Sequence, residues 1–355
     1  GIQAKTSTKS KDIPFGTLIQ FLQMLQSQDK PWIPIIVSAP TEKDREFIHR
    51  LNDKFQKRLI SVEANMQALP SILRNLDALV TPDTAIKHIA DSMRVPTLEV
   101  SLGNSPLFKQ GSTNPESIIL THRIDLRERK PDRDRHLLMP EDLMQSLHYL
   151  LENHYHPRIE GGFTLYRPAY DKLGLRYVSV FGDIKPEVEA QRAIERSYIG
   201  KFLIDDSQSE TFFPSFQRLK SEELQSWTER EKTFIMDASK TLLRTLRALG
   251  KAKDPGSSPE YIVKNLDQLM SYADSHHLGA LPLKVFRFKV ENFSGETQEE
   301  NIQFFESHLF ELKAEIQGLV SILNDFENIV SKGRISRFRR KEVAKEIDHI
   351  STIEQ

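Results

Sequence analysis

Apolar positions in the first 155 residues alternate between short continuous runs and stretches spaced three or four apart, the rhythm of a parallel sheet with crossover helices. Phe15, Leu18, Ile19, Leu22 and Leu25 predict a helix, and Ile33 to Val37 a buried strand. A second helix is expected over about 41–56, starting at Thr41, with Glu42 and Asp44 in its first turn, where negative charge suits the helix dipole. Strands are expected at Leu59 to Val62, Ala78 to Thr81 and Thr97 to Ser101. Between them lie a helix carrying Leu69, Ile72, Leu73 and Leu76 and another over His88 to Met93. Ile118 to Leu120 adds a strand and residues 140–153 a closing helix, so residues 1–155 read as an α/β domain.

From 156 to 195 the texture changes to Gly161-Gly162 and an aromatic run of Phe163, Tyr166, Tyr170, Tyr177 and Phe181. This predicts a small β connector with strands at 163–166 and 175–181 and an aromatic core, with a sugar platform as the lesser reading. Residues 196–355 predict a mainly α-helical domain. Leu224, Trp227, Phe234, Ile235, Ala238, Leu242, Leu246 and Leu249 share one helical face that is expected to stop at Gly250. Ile302, Phe305, Leu309, Leu312, Ile316, Leu319, Leu323, Phe326 and Val330 mark a second long helix over about 298–331, with shorter ones at 259–275 and 336–349 and a loop over Lys251 to Ser258.

A chain of 355 residues is long enough for about two domains with real cores. Its 49 basic and 50 acidic side chains leave a formal charge of −1, so no global field advertises a nucleic-acid partner. The sequence has no cysteine, which excludes disulfides, thiolate nucleophiles and Cys-ligated metals and fits a reducing, cytoplasmic setting. No apolar run approaches a membrane span, and no export signal follows Gly1.

The stretch from Leu79 to Ala90, LVTPDTAIKHIA, is a strand followed by a tight turn into a helix, with Asp83 and Thr84 at the turn. A helix start at the carboxyl end of a strand is a natural phosphate site in an open α/β sheet. The plain alternative makes Asp83 or Thr84 an N-cap and His88 a half-buried helical residue.

With its surroundings, Asp77 to Val100 resembles the signature of glycosyltransferase family 9, the ADP-heptose:lipopolysaccharide heptosyltransferases. That signature runs strand, Asp-Ser/Thr-Gly-x-x-His, small helix, Val-Pro, strand, Gly, with Gly103 in the last place. Upstream, GIQAKTSTKSKDIP over residues 1–14 resembles the family's loop after the first strand of its donor-binding domain. The resemblance implies a Rossmann-like domain forming the C-terminal half of a GT-B fold. It places a nucleotide-diphospho-sugar, ADP-heptose by analogy, against Thr6, Ser7, Lys11, Glu42, Asp83, Thr84, Ala85 and His88. Thr6 and Ser7 match the hydroxyl pair, Lys11 the lysine that steadies the leaving diphosphate, and Glu42 the ribose-binding glutamate. No cofactor or metal is implied, and the product would be a cell-envelope glycan or lipopolysaccharide built on a glycolipid acceptor.

Two residues depart from that pattern: Ala85 stands for its glycine, restricting the turn and crowding a close phosphate, and Ile13 for its tryptophan. The family's acceptor-binding domain, with the catalytic base, would precede Gly1, so no base is expected in this chain. A non-catalytic nucleotide-binding or scaffold protein, using its long helices as a partner interface, is the competing reading, and an unrelated α/β enzyme a third.

Lys332, Arg334, Arg337, Arg339, Arg340 and Lys341 form a basic run interleaved with Ile335 and Phe338. The run suits either a solvated helix end or a peripheral contact with the anionic inner face of a membrane. His148, His154 and His156, and the pair His276-His277, lack metal-ligand spacing and read as helix-end histidines.

Overall fold

The computed structural model describes residues 1–29, 32–56, 58–102, 110–122, 134–152, 156–160, 162–182, 186–200, 221–252, 260–275 and 277–331. Gly103, His154, Gly161, His276, the expected helix at 336–349 and the basic run at 332–341 lie outside these residues. The chain divides into two compact units, Gly1–Lys185 and Pro186–Gln355.

The first unit is a mixed sheet with helices on both faces. In chain order it holds α1 (Phe15–Gln26), β1 (Ile35–Ser38), α2 (Glu42–Lys54), β2 (Ile60–Glu63), α3 (Leu69–Leu73), β3 (Leu79–Pro82), α4 (Ala85–Ser92), β4 (Thr97–Ser101), β5 (Ile118–His122), α5 (Pro140–Leu151), β6 (Phe163–Asp171) and β7 (Gly174–Gly182). β1 pairs in parallel with β2, and β3, β4 and β5 pair in parallel with one another. The opening residues, expected as loop, join the two groups instead. The Ile2 N–H donates to the Ile35 carbonyl at 2.8 Å, and the Gln3 N–H to the Val80 carbonyl at 2.9 Å, so residues 1–3 sit between β1 and β3. The next stretch, Ala4 to Asp12, is thereby launched from the carboxyl edge of the sheet, beside the β3–α4 turn.

Strand alternation assigns the two faces. Ile36, Val80, Leu98, Val100, Ile118 and Leu120 face one core, shared with Leu18, Phe21 and Leu22 of α1 and Leu143 and Leu147 of α5. Leu79, Val37 and Ile119 face the other side, where Leu73 of α3 and Ala90 of α4 pack. Thr81 and Glu99 point the same way as Leu79 and Ile119, which puts a carboxylate under α4.

The aromatic segment expected as a separate connector is continuous with this sheet. β6 and β7 form an antiparallel hairpin paired through β6 to β5, and Tyr166 and Tyr177 bury against Ile119. At the end of the hairpin Gly182 has φ +100°, and a Cβ there would lie 2.2 Å from the Phe163 carbonyl oxygen, so only glycine fits.

The second unit is helical: α6 (Pro186–Tyr198), α7 (Ser221–Ala252), α8 (Glu260–Ser271), α9 (Ala280–Glu291) and α10 (Gln298–Ser331). Trp227, Ile235, Leu242, Leu269, Leu283, Phe286, Leu309, Leu319 and Phe326 form its core. The Trp227 and Phe326 rings meet edge to face at 6.1 Å, and Lys232 pairs with Glu327, so the start of α7 lies against the end of α10. Two expectations are corrected. Gly250 does not terminate α7, which runs through it to Ala252, because one glycine costs a helix only about 1 kcal/mol and packing outweighs that. α6 and α9 were not anticipated: in α9 the sequence ALPLKVFRFKVE alternates apolar and polar residues almost as a strand does, and only its packing makes it a helix. Among the described residues, no helix is long and apolar enough to cross a membrane.

Candidate functional site at the β3–α4 turn

Three pieces of chain converge where β3 ends. The loop after residues 1–3 is folded back on itself by the buried Asp12: its carboxylate accepts from the Thr6 N–H at 2.7 Å and the Thr6 hydroxyl at 3.0 Å, and it pairs with Lys5. One turn of 3-10 helix, Lys9–Lys11, then presents Lys11, whose Nζ lies 2.8 Å from Oδ2 of Asp83. Lys11 and Asp83 are 72 residues apart in sequence, and the fold brings them together.

Asp83 does not act as a helix cap. Its other oxygen, Oδ1, receives the Nζ of Lys87 at 2.9 Å. Lys87 is fully buried, and the same ammonium lies 3.3 Å from Oε2 of Glu99 on β4 and donates to the Gln110 carbonyl. The result is a line of alternating charge, Lys11, Asp83, Lys87, Glu99, running from the surface into the sheet. Burial opposes the Asp83 charge, but the hydrogen bonds from Lys11 and Lys87 outweigh it and hold the carboxyl below its ordinary value. At Glu99 burial wins: despite Lys87 and a 2.7 Å hydrogen bond from the Ser112 N–H, its pKa is pushed up to about 7.

The segment that supplies Gln110 and Ser112 is held from both sides. Asp91 of α4 accepts from the Ser112 hydroxyl at 2.5 Å and the Thr113 N–H at 2.9 Å. The hairpin reaches it with two phenols, Tyr177 donating to the Gly111 carbonyl and Tyr170 to the Thr113 carbonyl, each at 2.9 Å. Phe163, Tyr166 and Tyr177 of the aromatic run are sheet core, Tyr170 is exposed, and the hydroxyls of Tyr177 and Tyr170 tie the hairpin to the segment at 111–113.

Thr84 occupies the N-cap position of α4 with extended backbone, yet its hydroxyl accepts from none of that helix's N–H groups. It turns to Oε1 of Gln3 at 3.2 Å and to the Thr81 hydroxyl at 3.3 Å. The first turn of α4 carries no acidic residue either. An uncapped helix start with a lysine beside it is suited to an anion.

Of the remaining expected residues, Ala85 and His88 lie on α4, Ser7 in the opening loop and Glu42 at the start of α2. Ser7, Glu42, Ala85 and His88 are exposed, so the half-buried alternative for His88 does not hold. Ala85 is the first residue of α4 and is not in the left-handed region, which among the described non-glycine residues holds Gln56 and Arg94; the expected restriction at this position produces no backbone strain.

Three participants escaped the sequence reading: Asp12, Lys87 and Glu99. Glu99 had a signal, a lone charge within the otherwise apolar strand Thr-Leu-Glu-Val, and Lys87 stands one helical turn after Asp83.

Histidines elsewhere are engaged in packing. His148 lies 3.4 Å from Glu152 and 4.8 Å from the Trp32 ring, His156 meets the Phe181 ring edge-on at 6.0 Å, and His277 bonds Glu231 at 2.9 Å while stacking on Phe234. Among the described residues no group of acidic and histidine side chains is placed to hold a metal ion.

No curated protein and no solved structure matches the chain. Residues 1–134, which contain every member of the charged line and none of the helical unit, match the model of glycosyltransferase family 9 (heptosyltransferase), and it is to that family that this part of the chain is similar.

Proposed function

We propose that the first unit binds the donor, a nucleotide-diphospho-sugar, in a heptosyltransferase-like glycosyltransferase acting on a cell-envelope glycan or lipopolysaccharide. The observation that carries this reading is the meeting of Lys11 with the uncapped start of α4 at the carboxyl edge of the sheet, inside the matched segment. A diphosphate seated there takes its counter-charge from Lys11 and from the N-terminal N–H groups of α4. Both donors strengthen their hold as the sugar–phosphate bond breaks and charge gathers on the leaving diphosphate, which is how fixed positive groups lower such a barrier. Thr6 and Ser7 flank the phosphates, Glu42 faces the ribose, and the base that activates the acceptor hydroxyl comes from an acceptor-binding domain rather than from this site. A glycolipid acceptor at the inner membrane face, met through the basic run at 332–341, completes the proposal.

Calorimetric titration with ADP, UDP and GDP tests it. One nucleotide should bind selectively, and Lys11→Ala should weaken it about tenfold or more, the worth of a charge-assisted hydrogen bond. Failure of all three to bind would leave the Lys11–Asp83 pair as a structural tie and favour the scaffold reading, in which the helices of the second unit carry the activity.

A further inference from the structure

We infer that Lys87 is a positioning residue of this site, one that lets Lys11 exchange Asp83 for an incoming diphosphate. The inference rests on the donor-site reading. Lys11 is engaged within the chain, 2.8 Å from a carboxylate whose side chain is only 6% exposed. For Lys11 to turn to a phosphate, Asp83 must give up that partner, and a carboxylate left alone at such a depth carries a heavy desolvation penalty. Lys87 removes the penalty. Its Nζ stays 2.9 Å from the opposite oxygen of Asp83, and its aliphatic stem is enclosed by α4 and the sheet, so Asp83 remains paired after Lys11 leaves.

The position of Lys87 is itself fixed from below. Glu99 at 3.3 Å and the Gln110 carbonyl also hold its ammonium, while the Ser112 N–H holds Glu99. Lys87 reaches no ligand directly; it acts through Asp83, as a second counter-ion that makes the first one releasable.

The test uses the full chain with ADP and, as a probe independent of the base, inorganic pyrophosphate, alongside thermal unfolding. Lys87→Met should weaken both probes about tenfold and lower the unfolding temperature, since it also strips Glu99 of its cation. Lys87→Met/Glu99→Gln should regain the stability while its binding stays weak, because Asp83 still has only Lys11. Lys87→Met/Asp83→Asn should regain binding, because Lys11 is then free. A merely structural lysine gives the opposite pattern, with affinity returning whenever stability returns. That result overturns the inference, as does wild-type affinity in Lys87→Met. Wild-type and Lys11→Ala chains that both ignore ADP and pyrophosphate overturn the donor reading and this inference with it. Binding lost in Lys11→Ala but intact in Lys87→Met leaves the donor reading standing and overturns the inference alone.

Discussion

Two strand-to-helix turns lie along the carboxyl edge of the same sheet, and they are finished in opposite ways. At β1–α2, Thr41 caps its helix, accepting the Asp44 N–H at 3.2 Å, with Glu42 and Asp44 supplying negative charge to the first turn. The nearby ion pair, Arg45 with Glu63, is bidentate at 2.7 Å and exposed. At β3–α4, the capping position is filled but unused, the first turn carries no acid, and the ion pairs run inward to a fully buried lysine. One helix start is self-sufficient. The other leaves its capping position unused and is held in place by the charged groups beneath it.

The largest expected difference between the turns is in their response to pH. Glu99 keeps a proton in the folded chain up to about 7, whereas its ordinary value is 4.5. The folded state therefore binds more protons across that window, and stability is greatest at its acid end and falls as pH rises toward 7. The groups facing Glu99 are Lys87, Asp83 and the Ser112 N–H. Urea denaturation across this range should show a slope worth on the order of a few kcal/mol in wild type, and Glu99→Gln should flatten it. Glu63 sits on the other side of that logic: its hydrogen bond with Arg45 lowers its titration, so Glu63→Gln should leave the profile between 4.5 and 7 unchanged. Equal slopes in wild type and Glu99→Gln would break the contrast.

Capping provides the next test. Thr41→Ala removes a working cap and should cost about 1 kcal/mol in chemical denaturation. Thr84→Ala removes a hydroxyl that caps nothing and whose bonds, at 3.2 and 3.3 Å, are long, so its cost should be roughly half that or less. Equal costs would mean that α4 is capped after all.

The smallest effect lies at the far end of α4. Arg94 has φ +56°, and the Val95 N–H reaches back to the Ala90 carbonyl at 3.0 Å, the geometry of a Schellman C-terminus. Arg94→Gly should stabilise the chain by roughly 0.5–1 kcal/mol in thermal unfolding, leaving ADP binding unchanged. A change in binding would show that the two ends of α4 are coupled and sharpen the picture of how the turn is held.

The sequence made the parallel strands legible because Leu79 to Pro82 and Thr97 to Ser101 are short runs bounded by turns, and strands buried on both faces need such runs. Lys11 and Asp83 were legible as members of one expected donor site only through the family resemblance, and their contact with each other was not legible, since nothing local relates residues 72 positions apart. The long helices α7 and α10 announced themselves by spacing, whereas α9 did not, its pattern fitting a strand nearly as well.

Periodicity, the absence of cysteine and the balanced charge are properties of the chain itself, and they determined the α/β first part, the helical second part and the exclusion of thiol chemistry. Tertiary structure decided three further matters: that residues 1–3 join the two halves of the sheet, that the aromatic hairpin belongs to it, and that Lys87 meets Asp83 and Glu99 at once. Each depends on which face of a strand or helix meets which neighbour. A lone charge in an apolar run reads as an exception along the chain; folding determines whether it finds a partner, because the energy of a buried charge is set by the groups packed around it.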